Sequence, residues 1–129
     1  MTTLTISIPP STWMSQNRAV PNHHARRAKV DGIHRLTLAV ARQQGLRPIP
    51  TPVRALWTIA YPKGTGPADP VNASPNTKAI LDALVAGGWL EKDDSKHVVS
   101  ETFERGPNLT IPTVHTITLT LTLTPIGAL

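Results

Sequence analysis

The stretch HTITLTLTLTP, residues 115–125, decides the fold class. Ile117, Leu119, Leu121 and Leu123 fall on one side of an extended chain and five threonines on the other. That is the period-two pattern of a strand with one face in a core. The threonine face is solvated or lightly covered. Upstream, VRALWTIAYP (53–62) is apolar on both faces and reads as a central strand. LTISIP (4–9) alternates Leu4, Ile6 and Ile8 with Thr and Ser and stops at Pro9-Pro10. HVVSETFERG (97–106) is a further strand with Val99 and Phe103 on one face.

Two helical segments separate these strands. AKVDGIHRLTLAVARQQG (28–45) sets Val30, Ile33, Thr37, Val40 and Ala41 on one stripe, with Gly45 as its stop and Gly32 as a weak point. The second helix takes Ser74 as N-cap and Pro75 as its first residue, and it ends at Gly87-Gly88. Its buried stripe is Ile80, Ala83, Leu84 and Gly87. Residues 11–27 show no clean period and read as a long loop. The predicted order is β-α-β-α-β-β. It implies an α/β (α+β) fold, a small mixed sheet of about four strands with two helices packed on one face. Residues 1–129 are expected to form one domain.

Composition narrows the function. Hydrophobic residues make up 40% and aromatics 4%, so the core is built from Leu, Ile, Val and Ala. The absence of cysteine excludes disulfides and thiolate metal sites. No apolar run approaches a membrane span, and the N-terminus lacks a charged-then-apolar signal pattern. A soluble, cytoplasmic protein is expected. The formal charge of +5 attracts polyanions, and its placement is uneven. Arg18, Arg26, Arg27, Lys29, Arg35, Arg42 and Arg47 face a single acid, Asp31, in the first 47 residues.

Acids are scarce, so their positions matter. Asp69 precedes the second helix, and Asp93 and Asp94 follow it. Hydrolysis of a phosphodiester uses hard cations held by a few carboxylates from converging segments. A helix of about twelve residues is roughly 18 Å long. Asp69 and Asp94 therefore meet only if the chain after the helix folds back. Lys78 and Asp82 share one helical face, either as a surface ion pair or as a phosphate-directed lysine with its orienting acid. His23-His24 lack a third ligand nearby and read as surface residues, His97 as a strand-edge residue, and His115 is left unassigned.

Taken in order, these pieces form a pattern. DPVNASPNTKAILDALVAGGWLEKDDSKHV (69–98) resembles the central signature of RusA-type Holliday junction resolvases. WMSQNRAVPNHHARRAK (13–29) is similar to the basic N-terminal loop of RusA-like proteins from actinobacterial phages. The resemblance implies a Mg²⁺-dependent endodeoxyribonuclease, with Mn²⁺ as a substitute cation, that resolves four-way junctions in DNA recombination and repair. It also implies a homodimer, because a junction offers two equivalent strands to nick.

Position by position, the resemblance assigns catalysis to Asp69, Lys78, Asp82 and Asp94, and metal binding to Asp69, Asp93, Asp94 and the Asn72 amide. DNA contact falls to Trp13, Asn17, Arg18, Arg26, Arg27 and Lys29. For Trp13, anchoring of the loop to the core is the favoured reading over stacking on an unpaired base. Many relatives carry a second Asp where this chain has Val71. Asp82, Asp93 or Asn72 is expected to replace it. The rival reading is a non-catalytic nucleic-acid-binding protein that kept the fold and lost the metal chemistry.

Overall fold

Three strands running in one direction, joined by two crossover helices, make the frame, and a fourth strand slots between them in the opposite sense. The computed structural model describes residues 1–16, 18, 20 and 22–125. The elements in chain order are β1 (Thr2–Ile8), α1 (His23–Gln44), β2 (Val53–Ala60), α2 (Ser74–Ala86), β3 (Val98–Arg105) and β4 (His115–Leu123), with a 3₁₀ turn at Pro70–Ala73 leading into α2. The sheet order is β1-β4-β2-β3. β4 is antiparallel to both β1 and β2, and β2 is parallel to β3. The expected mixed α+β fold is what forms.

Alternation of side chains explains the layering. Leu4 pairs with Leu119, and Leu119 with Trp57. Ile6, Ile117 and Ile59 make the next row. All six are buried, and α1 and α2 cover them with Ile33, Ile80 and Leu84. Full burial of each such side chain contributes about 1.5–3 kcal/mol. The other face carries hydroxyls. Thr5 and Thr118 Oγ1 atoms are 3.2 Å apart, and Thr58 Oγ1 donates to Glu104 at 3.2 Å. β2 sits between β4 and β3, as its two apolar faces require.

Several boundaries differ from expectation. α1 begins at His23 rather than Ala28, so Arg26 and Arg27 stand on a helix and not in a loop. Its first turn is solvated and carries no apolar stripe. The start is fixed instead by Asn22, whose side chain accepts from Ala25 N–H at 2.8 Å. The helix stops at Gly45, which takes the left-handed conformation at φ 65°. Ser74 is the first residue of α2 and not its cap, because the 3₁₀ turn feeds straight into the helix. Gly87 is exposed rather than buried, but a Cβ there would collide with the Trp89 ring. Leu123, expected to face the core, is exposed at the last position of β4. Among the described residues, no helix is long and apolar enough to cross a membrane.

Candidate functional site

Lys78 stands on the second turn of α2, where the i, i+4 spacing places Asp82 beside it. Its ammonium lies 3.7 Å from an Asp82 carboxylate oxygen and 4.0 Å from one of Asp93. Asp93 belongs to the loop between α2 and β3, and the long Lys78 side chain reaches from the helix to that loop. Two carboxylates from separate segments thus converge on one cation. All three side chains are solvent-accessible, so each ion pair is weak, about 0.2–1 kcal/mol, and readily exchanged.

These residues line a cleft of about 730 Å³. Arg18 and Arg26 border the same cleft, as does Glu101 of β3. Glu101 is tied to the core, accepting from Trp57 Nε1 at 2.9 Å. Arg18 of the β1–α1 connection and Arg26 of α1 therefore line the same open space as Asp82, Asp93 and Glu101. An anion entering it meets Arg18, Arg26 and Lys78.

The arm is held there by Asn76, a buried residue that sequence reasoning passed over. Its Oδ1 accepts from Met14 N–H at 2.9 Å. Its Nδ2 donates to Met14 O at 2.6 Å and to Ala73 O at 3.2 Å. The signal was legible: Asn76 lies four residues before Ile80, a polar side chain on the stripe that faces the core. Gln16 N–H adds a bond to Asn72 O at 2.9 Å. Lys29, expected on DNA, serves the arm as well. Its ammonium donates to Ser11 O at 2.8 Å and to Trp13 O at 3.4 Å, so it holds the β1–α1 connection in place.

Asp69 and Asp94 are not part of this cluster. Because β2 and β3 are parallel, the chain leaves β2 at one end of the sheet and re-enters β3 at the other. Asp69 belongs to the first end and Asp94 to the second, with α2 between them. The expected return of the chain brings back Asp93 to Lys78, and it leaves Asp94 at the strand entry. Asp69 Oδ1 accepts from Val71 N–H at 3.2 Å and caps the 3₁₀ turn. Asp94 Oδ1 accepts from Lys96 N–H at 3.1 Å and meets His97 Nδ1 at 2.6 Å. The hydrogen bond from His97, more than any other cause, holds the Asp94 carboxyl below the usual carboxylate range. His97 Nε2 is also 3.6 Å from Glu91, so this histidine is the hub of a polar turn.

Asp69 and Asn72 border a smaller cleft of about 190 Å³, together with Trp13 and Tyr61. Ser15 borders both clefts, so the two adjoin. Trp13 stacks on His115 with ring centroids 3.7 Å apart and planes 5° from parallel, the anchoring that its sequence reading favoured. Arg27 and the paired rings of His23 and His24 sit at the exposed start of α1. Asn17 lies outside the described residues. Among the described residues, no group of three or more His, Asp or Glu side chains is arranged to hold a metal ion. The Asp82–Asp93 pair fits a hydrated hard cation that takes one or two carboxylates and fills its shell with water and phosphate oxygens.

The fate of His115 gives a pH test. Desolvation pushes its pKa down from 6.5 to about 4. The folded state thus binds fewer protons than the unfolded one between those values, and stability falls as pH drops through that window. Below about pH 4 the two states are protonated alike and the loss is complete. Subtracting the urea midpoint of His115→Phe, which keeps a ring beside Trp13, from that of wild type should leave a difference that declines from pH 6.5 to pH 4. A flat difference would remove the half-buried neutral imidazole from the account.

No family model matches this chain, and no curated protein matches it either.

Proposed function

We propose that this chain is a Mg²⁺-dependent endodeoxyribonuclease that nicks four-way DNA junctions, acting as a homodimer with one cleft per strand cut. One observation carries the reading: Lys78 pairs with Asp82 and Asp93 in a cleft that Arg18 and Arg26 also line. That combination suits a phosphodiester, which needs cationic groups on its non-bridging oxygens and a carboxylate-held cation near the scissile bond. The resemblance of residues 69–98 and 13–29 to RusA-type resolvases supports the same class.

In this scheme Arg18 and Arg26 bind the phosphates that flank the cut. Such contacts fix the register of the strand and carry no sequence information. Asp82 and Asp93 would hold the cation, which would supply charge neutralisation and a more acidic water. Lys78 exchanges its weak carboxylate pairs for a phosphoryl oxygen and stabilises charge there as the bond breaks. Val71 replaces an acid of the signature, and in this scheme Asp93 takes the vacant role.

Charge reversal tests the DNA side of the proposal. Arg18→Glu and Arg26→Glu should each weaken junction binding and reduce the slope of log affinity against log salt by about one. An unchanged slope would take the arm off the DNA. A second reading, binding without cleavage, is favoured by Val71 and by the two-carboxylate donor set. Titration with Mn²⁺ separates them: saturable binding lost in Asp93→Asn supports the nuclease, and no binding at millimolar Mn²⁺ supports the rival.

A further inference from the structure

The small cleft beside the proposed cleavage site has a chemistry of its own. Its walls include two aromatic rings, Trp13 and Tyr61, and its polar border is a carboxylate and a primary amide, Asp69 and Asn72. At about 190 Å³ it is smaller than the roughly 300 Å³ at which pockets for drug-sized molecules begin. One planar heterocycle fits that size, and a base pair does not.

The rings are fixed in advance. Trp13 is clamped on His115 in a parallel stack, and Tyr61 meets the same imidazole edge-on at 5.4 Å. The Arg105 guanidinium lies 4.9 Å from the centre of the Tyr61 ring. Arg105 is itself pinned to Gly66 O at 2.8 Å and Asn108 Oδ1 at 2.7 Å. Preset aromatic walls lower the ordering cost of stacking a ligand. Base–aromatic stacking of this kind is worth about 1–3 kcal/mol.

The polar border selects among bases. Asp69 Oδ1 caps the 3₁₀ turn with one lone pair and keeps the other, and its second oxygen is an acceptor only, so both oxygens can accept from a ligand. Guanine is the one common base whose pairing edge offers two adjacent N–H donors, beside a carbonyl acceptor. A carboxylate accepts from those donors, and the Asn72 amide donates to that carbonyl. Adenine, cytosine and thymine each present a lone pair next to their single donor group, which a carboxylate repels.

We infer that the cleft bordered by Trp13, Tyr61, Asp69 and Asn72 binds one unpaired guanine of the DNA strand that occupies the adjoining cleft. This rests on the proposed DNA-binding function. Ser15 lines both clefts, so a strand in the larger one lies within reach of the smaller. An unpaired base is the natural occupant at a branch point, where stacking is already interrupted and extrusion is least costly.

Binding of four labelled single-stranded pentamers, alike except for the central base in a thymidine background, tests the inference, with GMP in parallel. The wild-type chain should prefer central guanine by about ten-fold, the range of one good bidentate contact. Asp69→Asn should remove that preference and keep the affinity for the all-thymidine pentamer. Asparagine caps a turn as well as aspartate does, so folding is preserved. Equal affinity for all four pentamers would overturn the guanine site while leaving DNA binding intact. Binding of GMP with no binding of any pentamer would overturn the DNA reading and with it the strand-borne guanine. Failure of pentamers and GMP alike would sink both.

Discussion

Replacing Asp93 or Asp82 by Asn should lower Mg²⁺-dependent nicking of a synthetic four-way junction by at least about 100-fold, with binding of the uncut junction in EDTA retained. Loss of a group that merely supports a metal ligand already costs 10–100-fold, and a ligand itself should cost no less. Asn keeps the size of Asp and removes the charge, so the loop and helix stay in place. Both carboxylates lie near the Lys78 ammonium, at 3.7 Å and 4.0 Å, so the proposed cation would draw on two charges here. Asp94→Asn is the comparison: it disturbs the turn built on His97 and should stay within about ten-fold of wild type. Full activity in the Asp82 and Asp93 variants, with loss in the Asp69 and Asp94 variants, would move the centre away from Lys78.

Asn76→Ala should destabilise the fold by about 3 kcal/mol or more in urea denaturation. The side chain is fully buried and satisfies the Met14 N–H, the Met14 carbonyl and the Ala73 carbonyl. Truncation leaves buried polar groups without partners, at about 1–3 kcal/mol each. The same change frees the arm from α2, so Arg18 leaves the cleft border and junction affinity falls together with stability. Asn76→Asp should fare no better, because it keeps the acceptor for Met14 N–H and sets a carboxylate against two carbonyls. A loss below about 0.5 kcal/mol, the scale of an ordinary surface change, would show that the arm is held by something else.

The fold was legible because its strands obey a simple rule. Ile117, Leu119 and Leu121 alternate with threonine, and the structure buries all three while Thr116, Thr118, Thr120 and Thr122 stay on the more open face; past Leu123 the alternation ends and Thr124 is buried instead. The two helical stripes centred on Ile33 and on Ile80 and Leu84 were equally plain. Local rules failed where burial does not govern. The first turn of α1 is polar, so only the Asn22 cap marks it. The 3₁₀ turn ahead of α2 displaced Ser74 from its expected cap.

The site was less legible, for a topological reason. Spacing in sequence pairs Asp94 with Asp69 as readily as it pairs Asp93 with Lys78. The parallel crossover decides between them, since it sets the two ends of α2 at opposite ends of the strands. Lys29 shows a second limit. Its charge suggests DNA, and its position over Ser11 O and Trp13 O makes it a clamp on the chain's own backbone. Charge can be read from residues, but the partner of a charge is a property of the fold.

The most direct test maps the products of wild-type protein on a four-way junction with each strand labelled in turn. With Mg²⁺ the account predicts nicks at symmetric positions in one opposed pair of strands, none in EDTA, and none in a linear duplex of the same sequence. Intact strands at every Mg²⁺ and Mn²⁺ concentration, from protein that still binds the junction, would contradict it.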